Sequence, residues 1–273
     1  MLIVTKRGYE KMDKIKLGVL VGGTSIEREV SKKSCENLLA NLDENKYEIT
    51  VYHLPADGNT EWAKNIISNP PQIVLSALHG GNGENGSIQG FLHCLNIPYI
   101  GSKVLSSAIC MNKAMAKTVM KANHIQVPDH VFVMRGVDFS QYKESIKLMG
   151  FPLIVKPNRG GSSIGVIVAR NMEDIHYGIK NIIETYDDDV LIEKFIDGKE
   201  INCCVLQGEN GPEAMAVLDV KKAGSVFVYD DKYHIDEYSS DITSLPDFMQ
   251  DMIKSIAVKT FNILQCKGYA CVD

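Results

Sequence analysis

The ten residues Lys156-Pro-Asn-Arg-Gly-Gly-Ser-Ser-Ile-Gly165 tell more about the fold of this chain than any other stretch. They follow the apolar run 151–155, which predicts a short buried strand that delivers Lys156. Glycines at 160, 161 and 165 permit positive φ angles and close backbone approach, and Ser162 and Ser163 add hydroxyl groups. Free N–H groups, hydroxyls and a lysine charge together suit a phosphate group. The pattern favours a phosphate-binding loop, and an ordinary Gly/Ser hairpin loop is the alternative.

The composition limits the class of protein. With 273 residues the chain is long enough for two domains or three small lobes, and 45% hydrophobic and 23% charged residues are ordinary for a soluble globular protein. A net charge of −5 without a Lys/Arg stripe argues against a nucleic-acid partner. The sequence shows neither a membrane-spanning stretch nor a signal peptide. Seven cysteines without a CxxC pair indicate free thiols in a reducing compartment, so we expect a cytoplasmic protein.

Strands and helices alternate in the first part of the chain. In a parallel sheet built from such units, ligands bind at the carboxyl ends of the strands. Gly23-Thr-Ser25 and His79-Gly80 follow predicted strands and fall at those ends. The sequence therefore predicts an α/β fold that starts with a doubly wound parallel sheet. Its predicted strands are 15–21, 47–54, 72–78 and 98–100, and its predicted helices are 27–42, 62–69 and 86–95.

A second part of the chain begins near Gly101, and one long helix is predicted over residues 106–123. The further predicted elements are strands from 128, at 190–196, 200–207 and 214–221 and from 268, and helices at 172–186 and 246–264. The predicted domains are 1–14 as a leader or strand entry, 15–104 as an N-terminal substrate-binding α/β domain, 105–192 as a central lobe and 193–273 as a C-terminal lobe. Met12 is an alternative start to Met1.

A glycine-rich turn, Gly22-Gly-Thr-Ser25, opens the first predicted helix. Acidic and hydroxyl groups beside it suit a cation, and Glu27 is the candidate to hold a substrate ammonium group. The alternative is an ordinary helix N-terminus, with Ser25 as N-cap and with Glu27 and Glu29 favoured by the helix dipole.

A second glycine-rich loop, His79-Gly-Gly-Asn-Gly-Glu-Asn-Gly86, has four glycines together with one histidine and one glutamate. This composition is unusual for a purely structural turn and makes His79 a candidate ligand-binding residue. A lone histidine is also commonly a structural group. No second histidine or cysteine stands nearby at metal-ligand spacing, so we predict no metal in this loop.

Three lysines lie in otherwise apolar or strand contexts. Lys113, Lys156 and Lys194 could converge on a triphosphate, whereas separately each could be a surface residue that buries only its stem. The segment Phe227-Val-Tyr-Asp-Asp-Lys-Tyr233 is either a lid over a site or a charged loop.

Together these segments resemble the D-alanine–D-alanine ligases of the ATP-grasp superfamily. The resemblance covers roughly residues 16–273, with five motifs in the same order. They are Gly-Gly-Thr-Ser-x-Glu-Arg-Glu-Val-Ser at 22–31, His-Gly-x-x-Gly-Glu-x-Gly-x-x-Gln-Gly at 79–90, Met-x-Lys at 111–113, Val-Lys-Pro with Gly-Ser-Ser-x-Gly at 155–165, and Tyr-x-x-Lys-Tyr at 229–233.

The resemblance implies a fold and an activity. After the doubly wound domain it implies an ATP-grasp fold of two α+β lobes, the last one incomplete. ATP would phosphorylate the carboxylate of one D-alanine, and the amine of a second D-alanine would attack the acylphosphate to give D-alanyl-D-alanine for peptidoglycan synthesis. The implied cofactors are ATP and Mg²⁺, with Mn²⁺ as a substitute. The implied partners are D-alanine and ATP, with no nucleic acid and no membrane, and the implied assembly is a homodimer.

For ATP, the resemblance implies three phosphate-binding lysines, namely Lys113, Lys156 and Lys232. The other nucleotide contacts would come from a closing loop, an adenine pocket with backbone groups of Lys194 and Ile196, and a ribose site. The loop residues are Gly160, Gly161, Ser162, Ser163 and Gly165; the adenine pocket is Glu193, Lys194, Phe195 and Ile196; the ribose residue is Glu200.

For the amino acids, the resemblance implies that Glu27 and His79 hold the first D-alanine. Ser162 and Tyr233, hydrogen-bonded with Glu27, would position and activate the reacting groups, so these three are the implied catalytic residues. Asp273 would be the first Mg²⁺ ligand, because Mg²⁺ prefers carboxylate and phosphate oxygens.

The sequence departs from the family's pattern in several places. Asn85 and Asn112 stand where the family usually has aspartate. Cys271 stands where the family has an arginine that stabilises the tetrahedral intermediate, and losing such a donor costs about 3 kcal/mol, or about a hundredfold in rate. The family's Asn-Glu-x-Asn segment, with further Mg²⁺ ligands, would follow Asp273, so we expect a truncated C-terminal lobe.

Two hypotheses from different classes follow. The first is an ATP-dependent D-alanine–D-alanine ligase, truncated or degenerate. The second is a non-catalytic ATP-grasp remnant that binds nucleotide or a partner chain without turnover. A D-alanine–D-serine or D-alanine–D-lactate ligase is a third reading, and Lys232-Tyr233 favours an amine nucleophile over lactate by resemblance.

Overall fold

The computed structural model describes residues 14–220 and 240–273. Lys232, Tyr233 and the rest of the predicted lid segment 227–233 lie outside the described residues. The chain divides into two compact units. The first comprises Met1–His79 and Phe91–Ile100, and the second comprises Gly80–Gly90 and Gly101–Asp273.

The first unit contains the predicted parallel sheet. Its strands β1 (Ile15–Gly22), β2 (Tyr47–Leu54) and β3 (Ile73–Ser76) lie in the order β2-β1-β3, all parallel. The central strand β1 is buried over its last six residues, as expected for an apolar run in a parallel sheet. Helices α1 (Arg28–Asn41) and α2 (Glu61–Ser68) follow β1 and β2. The predicted strand 98–100 is reduced to an isolated parallel bridge between Tyr99 and Val74 of β3.

Two short helices, α3 (Gly81–Glu84) and α4 (Ser87–Cys94), occupy the stretch after His79. The second unit continues with α5 (Val104–Met111) and α6 (Lys113–Ala122). The single predicted helix 106–123 is therefore two helices. Asn112 is extended at φ −95° and ψ 99°, and its side-chain oxygen accepts a hydrogen bond from the N–H of Met115 at 3.0 Å. Asparagine is a preferred N-cap residue, and this cap starts the new helix.

The second unit contains two antiparallel sheets. The first has the order β4-β7-β5-β6, from β4 (His130–Val133), β5 (Leu153–Pro157), β6 (Ile167–Ala169) and β7 (Val190–Lys194). Helices α7 (Lys143–Met149) and α8 (Met172–Tyr186) accompany it. The apolar run that predicted a buried strand before Lys156 is confirmed as β5, whose Leu153 and Val155 are fully buried with Ile175 of α8.

The other antiparallel sheet has the order β10-β9-β8-β11, from β8 (Ile201–Gly208), β9 (Gly211–Val220), β10 (Ser240–Ile242) and β11 (Tyr269–Val272). Helix α9 (Asp247–Ile263) packs against it through Ala257 and Phe261. Apolar residues of β8 and β9, including Val205 and Val217, complete this core. Among the described residues, no helix combines the length and apolar character that crossing a membrane requires.

Candidate functional site

The predicted phosphate-binding loop follows β5 directly. Ser162 and Ser163 have φ angles of 49° and 55°, and Gly165 has φ 72°. Position 165 requires glycine for two reasons. A Cβ there would strain the backbone, and it would lie 2.8 Å from the Tyr186 ring and 3.0 Å from Pro157. Three left-handed residues in four turn the backbone sharply, which is the geometry that exposes N–H groups to an anion.

The base of this loop is fixed by carboxylates that the sequence did not point to. The N–H of Arg159 donates to Asp188 Oδ2 at 2.6 Å, and its guanidinium donates to Asp189 Oδ2 at 2.9 Å. Asp189 also accepts the N–H of Arg135 at 3.1 Å. Arg159 therefore enters the loop from a fixed position, held by the segment between α8 and β7.

A buried cluster of charges lies beside the loop. One carboxylate oxygen of Glu193 forms an ion pair with Lys156. The other, Oε2, lies 2.9 Å from Lys117 Nζ. The side chains are only 10% (Glu193), 13% (Lys117) and 19% (Lys156) exposed, so solvent screens these pairs little. Burial alone would raise the pKa of Glu193, but the charges of Lys156 and Lys117 lower it below its usual value. Glu193 is therefore ionised at neutral pH.

Lys113 joins this cluster from the first turn of α6. Its ammonium group donates to the carbonyl of Gly160, inside the glycine loop. Asn158 fixes the backbone, because its carbonyl accepts the N–H of Lys113 at 3.0 Å and its side-chain oxygen accepts the N–H of Ala114 at 3.0 Å. Burial lowers the pKa of Lys113 to about 8, and the like charge of Lys156 contributes.

Lys113, Lys117 and Lys156 outnumber the two carboxylates that act on Lys113, those of Glu193 and Asp188, so positive charge is in excess beside the glycine loop. Such an excess is costly in a buried place unless an anion completes it. The arrangement therefore suits a polyphosphate more than a neutral ligand. The sequence pointed to Lys113 and Lys156 but missed Lys117, although its place one turn after Lys113 puts both on one helix face.

The third lysine of the predicted triple lies elsewhere. Lys194 is exposed, whereas Glu193 next to it is buried, because neighbouring residues of a strand point to opposite faces. Its exposed side chain agrees with the alternative, a surface residue, and not with convergence on a triphosphate with Lys113 and Lys156. Its backbone N–H donates to the carbonyl of Asp129 at 2.9 Å.

The remaining residues of the predicted adenine and ribose sites follow β7. Phe195 donates its N–H to the carbonyl of Pro152 at 3.4 Å, Ile196 is exposed, and Glu200 directly precedes β8. Glu200 is exposed, and its carbonyl accepts the N–H of Val220 at 3.0 Å.

Glu27 and His79 belong to the first unit. Glu27 is buried immediately before α1, and Ser25 Oγ accepts its N–H at 3.1 Å. The alternative prediction, in which Ser25 is the N-cap residue, is therefore wrong on this point. Helix α1 begins at Arg28, and Glu27 is its N-cap residue. His79 Nε2 hydrogen-bonds with Ser34 Oγ of α1 at 2.8 Å, which orients the imidazole ring.

Asp273 follows β11. Within residues 14–220 and 240–273, no group of three or more histidine, cysteine, aspartate or glutamate side chains is arranged to hold a metal ion. Mg²⁺ commonly binds one or two carboxylates together with phosphate oxygens of its substrate, so a single carboxylate fits an ion that arrives with a nucleotide.

Comparison with known proteins places these features in a family. A family model described as D-ala D-ala ligase C-terminus matches residues 119–273, and one described as D-ala D-ala ligase N-terminus matches residues 60–102. The D-alanine–D-alanine ligase of Bacillus anthracis is 36% identical over 260 residues, which cover 95% of this chain and 82% of that protein. D-alanine–D-alanine ligase B of Clostridium perfringens is also 36% identical, with the same coverage.

Solved structures agree with these relatives. The crystal structure of D-alanine–D-alanine ligase from Bacillus anthracis has a TM-score of 0.81 at 33% identity, over 95% of this chain and 82% of that one. The same enzyme complexed with ATP has a TM-score of 0.79 at 32% identity, over 96% and 82%. The VanG D-Ala:D-Ser ligase from Enterococcus faecalis has a TM-score of 0.80 at 27% identity, over 95% and 85%. With this identity over nearly its whole length, the chain belongs to the D-alanine–D-alanine ligase family.

Proposed function

We propose that this chain uses ATP to ligate two D-alanine molecules into D-alanyl-D-alanine. The observation that carries the proposal is the cluster of Lys113, Lys117 and Lys156 around Glu193, beside a loop with three left-handed residues. A buried positive excess next to a loop with left-handed residues suits the phosphates of ATP. Family membership supplies the reaction, in which the product is the D-alanyl-D-alanine used for peptidoglycan.

In the first half-reaction, a D-alanine carboxylate oxygen attacks the terminal phosphorus of ATP, and ADP leaves. Catalysis of this step consists mainly of positioning and charge neutralisation. Lys113 and Lys156 would neutralise the phosphates, with Lys232 as a third contact. The loop residues Gly160, Gly161, Ser162, Ser163 and Gly165 would enclose the transferred group and exclude water.

The rest of the nucleotide would bind along the end of β7. The carboxylate of Glu193, the backbone of Lys194 and Ile196, and the ring of Phe195 would surround adenine, and Glu200 would bind the ribose hydroxyls. Glu193 is ionised and can accept a hydrogen bond from an amino group, which suits adenine.

In the second half-reaction, the amine of a second D-alanine attacks the acylphosphate, an amide bond forms, and phosphate leaves with the oxygen it received. Glu27 and His79 would hold the first D-alanine, with Glu27 at its ammonium group. Ser162 and Tyr233 would orient the reacting groups with Glu27. The bond from Ser34 to His79 would keep the imidazole in one orientation.

Asp273 would hold Mg²⁺, or Mn²⁺ in its place, together with phosphate oxygens of the nucleotide. The bound ion supplies charge neutralisation at the transferred phosphate.

The finer architecture is part of the same proposal. We divide the chain into an N-terminal domain over 15–104 and two ATP-grasp lobes, a central one over 105–192 and a C-terminal one over 193–273, with 1–14 as a leader or strand entry. The sheets β4-β7-β5-β6 and β10-β9-β8-β11 would form the cores of the two lobes. A homodimer working in the cytoplasm agrees with the family and with thiols that are all free.

The test is ADP release by the purified chain with ATP, Mg²⁺ and D-alanine, followed by identification of the dipeptide. Lys156→Met should lower turnover by about a hundredfold or more, because it removes a charge that acts on the phosphates. Lys147→Met is the matched control, since Lys147 forms an exposed pair with Glu144 at 2.8 Å. Equal rates for both variants would contradict the assignment of Lys156.

One other second substrate deserves a parallel assay, because the similarity extends to a D-Ala:D-Ser ligase. D-serine offered together with D-alanine distinguishes the two products by mass. ATP binding without ADP release would identify a nucleotide-binding protein instead of a ligase, and absence of both would contradict the nucleotide site itself.

A further inference from the structure

Two cysteines face each other across neighbouring strands of the second antiparallel sheet. Cys204 of β8 and Cys271 of β11 are register partners, and their sulfur atoms are 3.0 Å apart. Cys271 is exposed and Cys204 is half-buried. Directly opposed residues of antiparallel strands have Cα atoms about 4.5–5.5 Å apart, which falls inside the range of about 4.4–6.8 Å that a disulfide spans.

The two sulfur atoms lie on the sheet face away from α9. Cys203 and Val205 of β8, and Ala270 and Val272 of β11, belong to the core that α9 covers. The side chains between them point to the other face. Small oxidants can therefore reach this pair from solvent without opening the core.

We infer that Cys204 and Cys271 are a redox modification site that closes into a reversible intramolecular disulfide. With a peroxide as the oxidant, one thiolate attacks the O–O bond and becomes a sulfenic acid, and hydroxide leaves. The second thiol then displaces water from the sulfenic acid and the S–S bond forms. Two electrons pass to the peroxide, and a dithiol reverses the reaction by exchange.

The other five cysteines include one further interacting pair, Cys110 and Cys266. Cys35 and Cys203 are buried. Cys94 is exposed, but it belongs to the first unit and not to the sheet that carries Cys204 and Cys271. Cys266 is buried and accepts a hydrogen bond from Ser106 at 3.3 Å, and its hydrogen bond with the exposed Cys110 lowers the pKa of Cys266 to about 6. Cys110 and Cys266 are therefore the competing pair that a test must distinguish.

The site also bears on the strand that carries Asp273, two residues after Cys271. Cys271 and Asp273 are both exposed. A disulfide would tie β11 to β8 at this point, next to the carboxylate assigned to Mg²⁺ under the proposed function. The modification itself does not depend on that assignment.

The experiment uses the full reduced chain, exposed to hydrogen peroxide under native conditions. Free thiols are then alkylated, and peptides are mapped by mass spectrometry before and after reduction. We expect a peptide containing Cys204 to be joined to one containing Cys271, with loss of two hydrogen atoms, and dithiothreitol should restore both thiols. Cys204→Ser should abolish this link, and Cys203→Ala, which changes the neighbour on the core side, should retain it.

Three outcomes would overturn the inference. They are alkylation of both thiols after oxidant treatment, oxidation of Cys271 alone to sulfinic acid in the wild-type chain, and a link between Cys110 and Cys266 in place of the expected one. Because the readout is a covalent link and not turnover, a chain without ligase activity would still test it.

Discussion

Lys117 and Glu193 form a buried ion pair, with 2.9 Å between Nζ and Oε2. Lys156 holds the other oxygen of the same carboxylate. A single carboxylate thus divides its charge between two lysines, and neither lysine is fully neutralised. Because Lys117 takes up part of the carboxylate charge, Lys156 keeps positive charge that can act on a phosphate.

Lys117→Met should weaken ATP binding without touching a predicted ligand contact. Glu193 would then pair with Lys156 alone, and about 1–2 kcal/mol of phosphate attraction would be lost, or about tenfold in KM for ATP. Steady-state kinetics with varied ATP measures this change. Lys121→Met is the control on the same helix, since Lys121 is exposed. If both variants raise KM alike, Lys117 has no special role.

Lys113 should make the enzyme sensitive to alkaline pH. Burial lowers its pKa from 10.5 to about 8. The charged form, which would bind phosphate, is present below about pH 8 and is lost as pH rises through that value, so kcat/KM for ATP should fall there. Lys113→Arg keeps its charge at all these pH values, and its profile should stay flat where the wild-type profile falls.

The lowered pKa of Lys113 affects stability in the direction opposite to its effect on activity. Between about pH 8 and about pH 10.5 the unfolded chain binds more protons at this lysine than the folded chain. Lys113 therefore makes stability rise with pH across this window, while activity declines. Urea unfolding at about pH 7.5 and about pH 9.5 in wild type and Lys113→Met separates this contribution from other groups. A larger rise in the variant than in wild type would contradict it.

Much of the fold could be predicted because its strongest elements carry clear periodicity or long apolar runs. The strand before Lys156 and the helix Met172–Tyr186 are such elements. The break at Asn112 was missed because the flanking residues continue the helical pattern on both sides. Only the local competition between a helix and an asparagine cap decides this position.

The charge cluster shows what could not be predicted. Lys117 needs a partner from β7, and sequence gives no distance between a helix and a strand so far apart in the chain. The exposure of Lys194, in contrast, could be predicted, because strand alternation puts only one of Glu193 and Lys194 on the inner face. The carboxylates Asp188 and Asp189 were missed because their partner, Arg159, gave no motif of its own.

Asn158 should matter for both stability and nucleotide binding. It is fully buried and holds the first turn of α6, the helix that carries Lys113 and Lys117. Asn158→Ala removes the acceptor of the Ala114 N–H, and we expect a loss of about 1–3 kcal/mol in the free energy of unfolding. Calorimetric titration with ATP should show weaker binding at a temperature where the variant is folded.

The control for this change is Asn123→Ala at the other end of α6. Asn123 is exposed and donates its side-chain N–H to the carbonyl of Val119 at 2.9 Å. Its loss should cost less than about 0.5 kcal/mol. If the Asn158→Ala variant is less stable but binds ATP as tightly as wild type, Asn158 stabilises the helix and does not position the lysines.

Gly165 and Gly136 allow steric contact in the loop to be separated from backbone strain. Both have left-handed φ angles, 72° and 75°, but a Cβ at 136 would meet no atom within 4 Å, whereas one at 165 would lie 2.8 Å from the Tyr186 ring. Each alanine variant should lose about 1–2 kcal/mol from strain. Gly165→Ala should lose about 1–3 kcal/mol more from overpacking, and its loop should bind ATP more weakly. Urea unfolding and ATP titration of both variants measure these changes. Equal losses of stability and of ATP affinity would mean that the Tyr186 ring moves aside and that its close approach does not shape the loop.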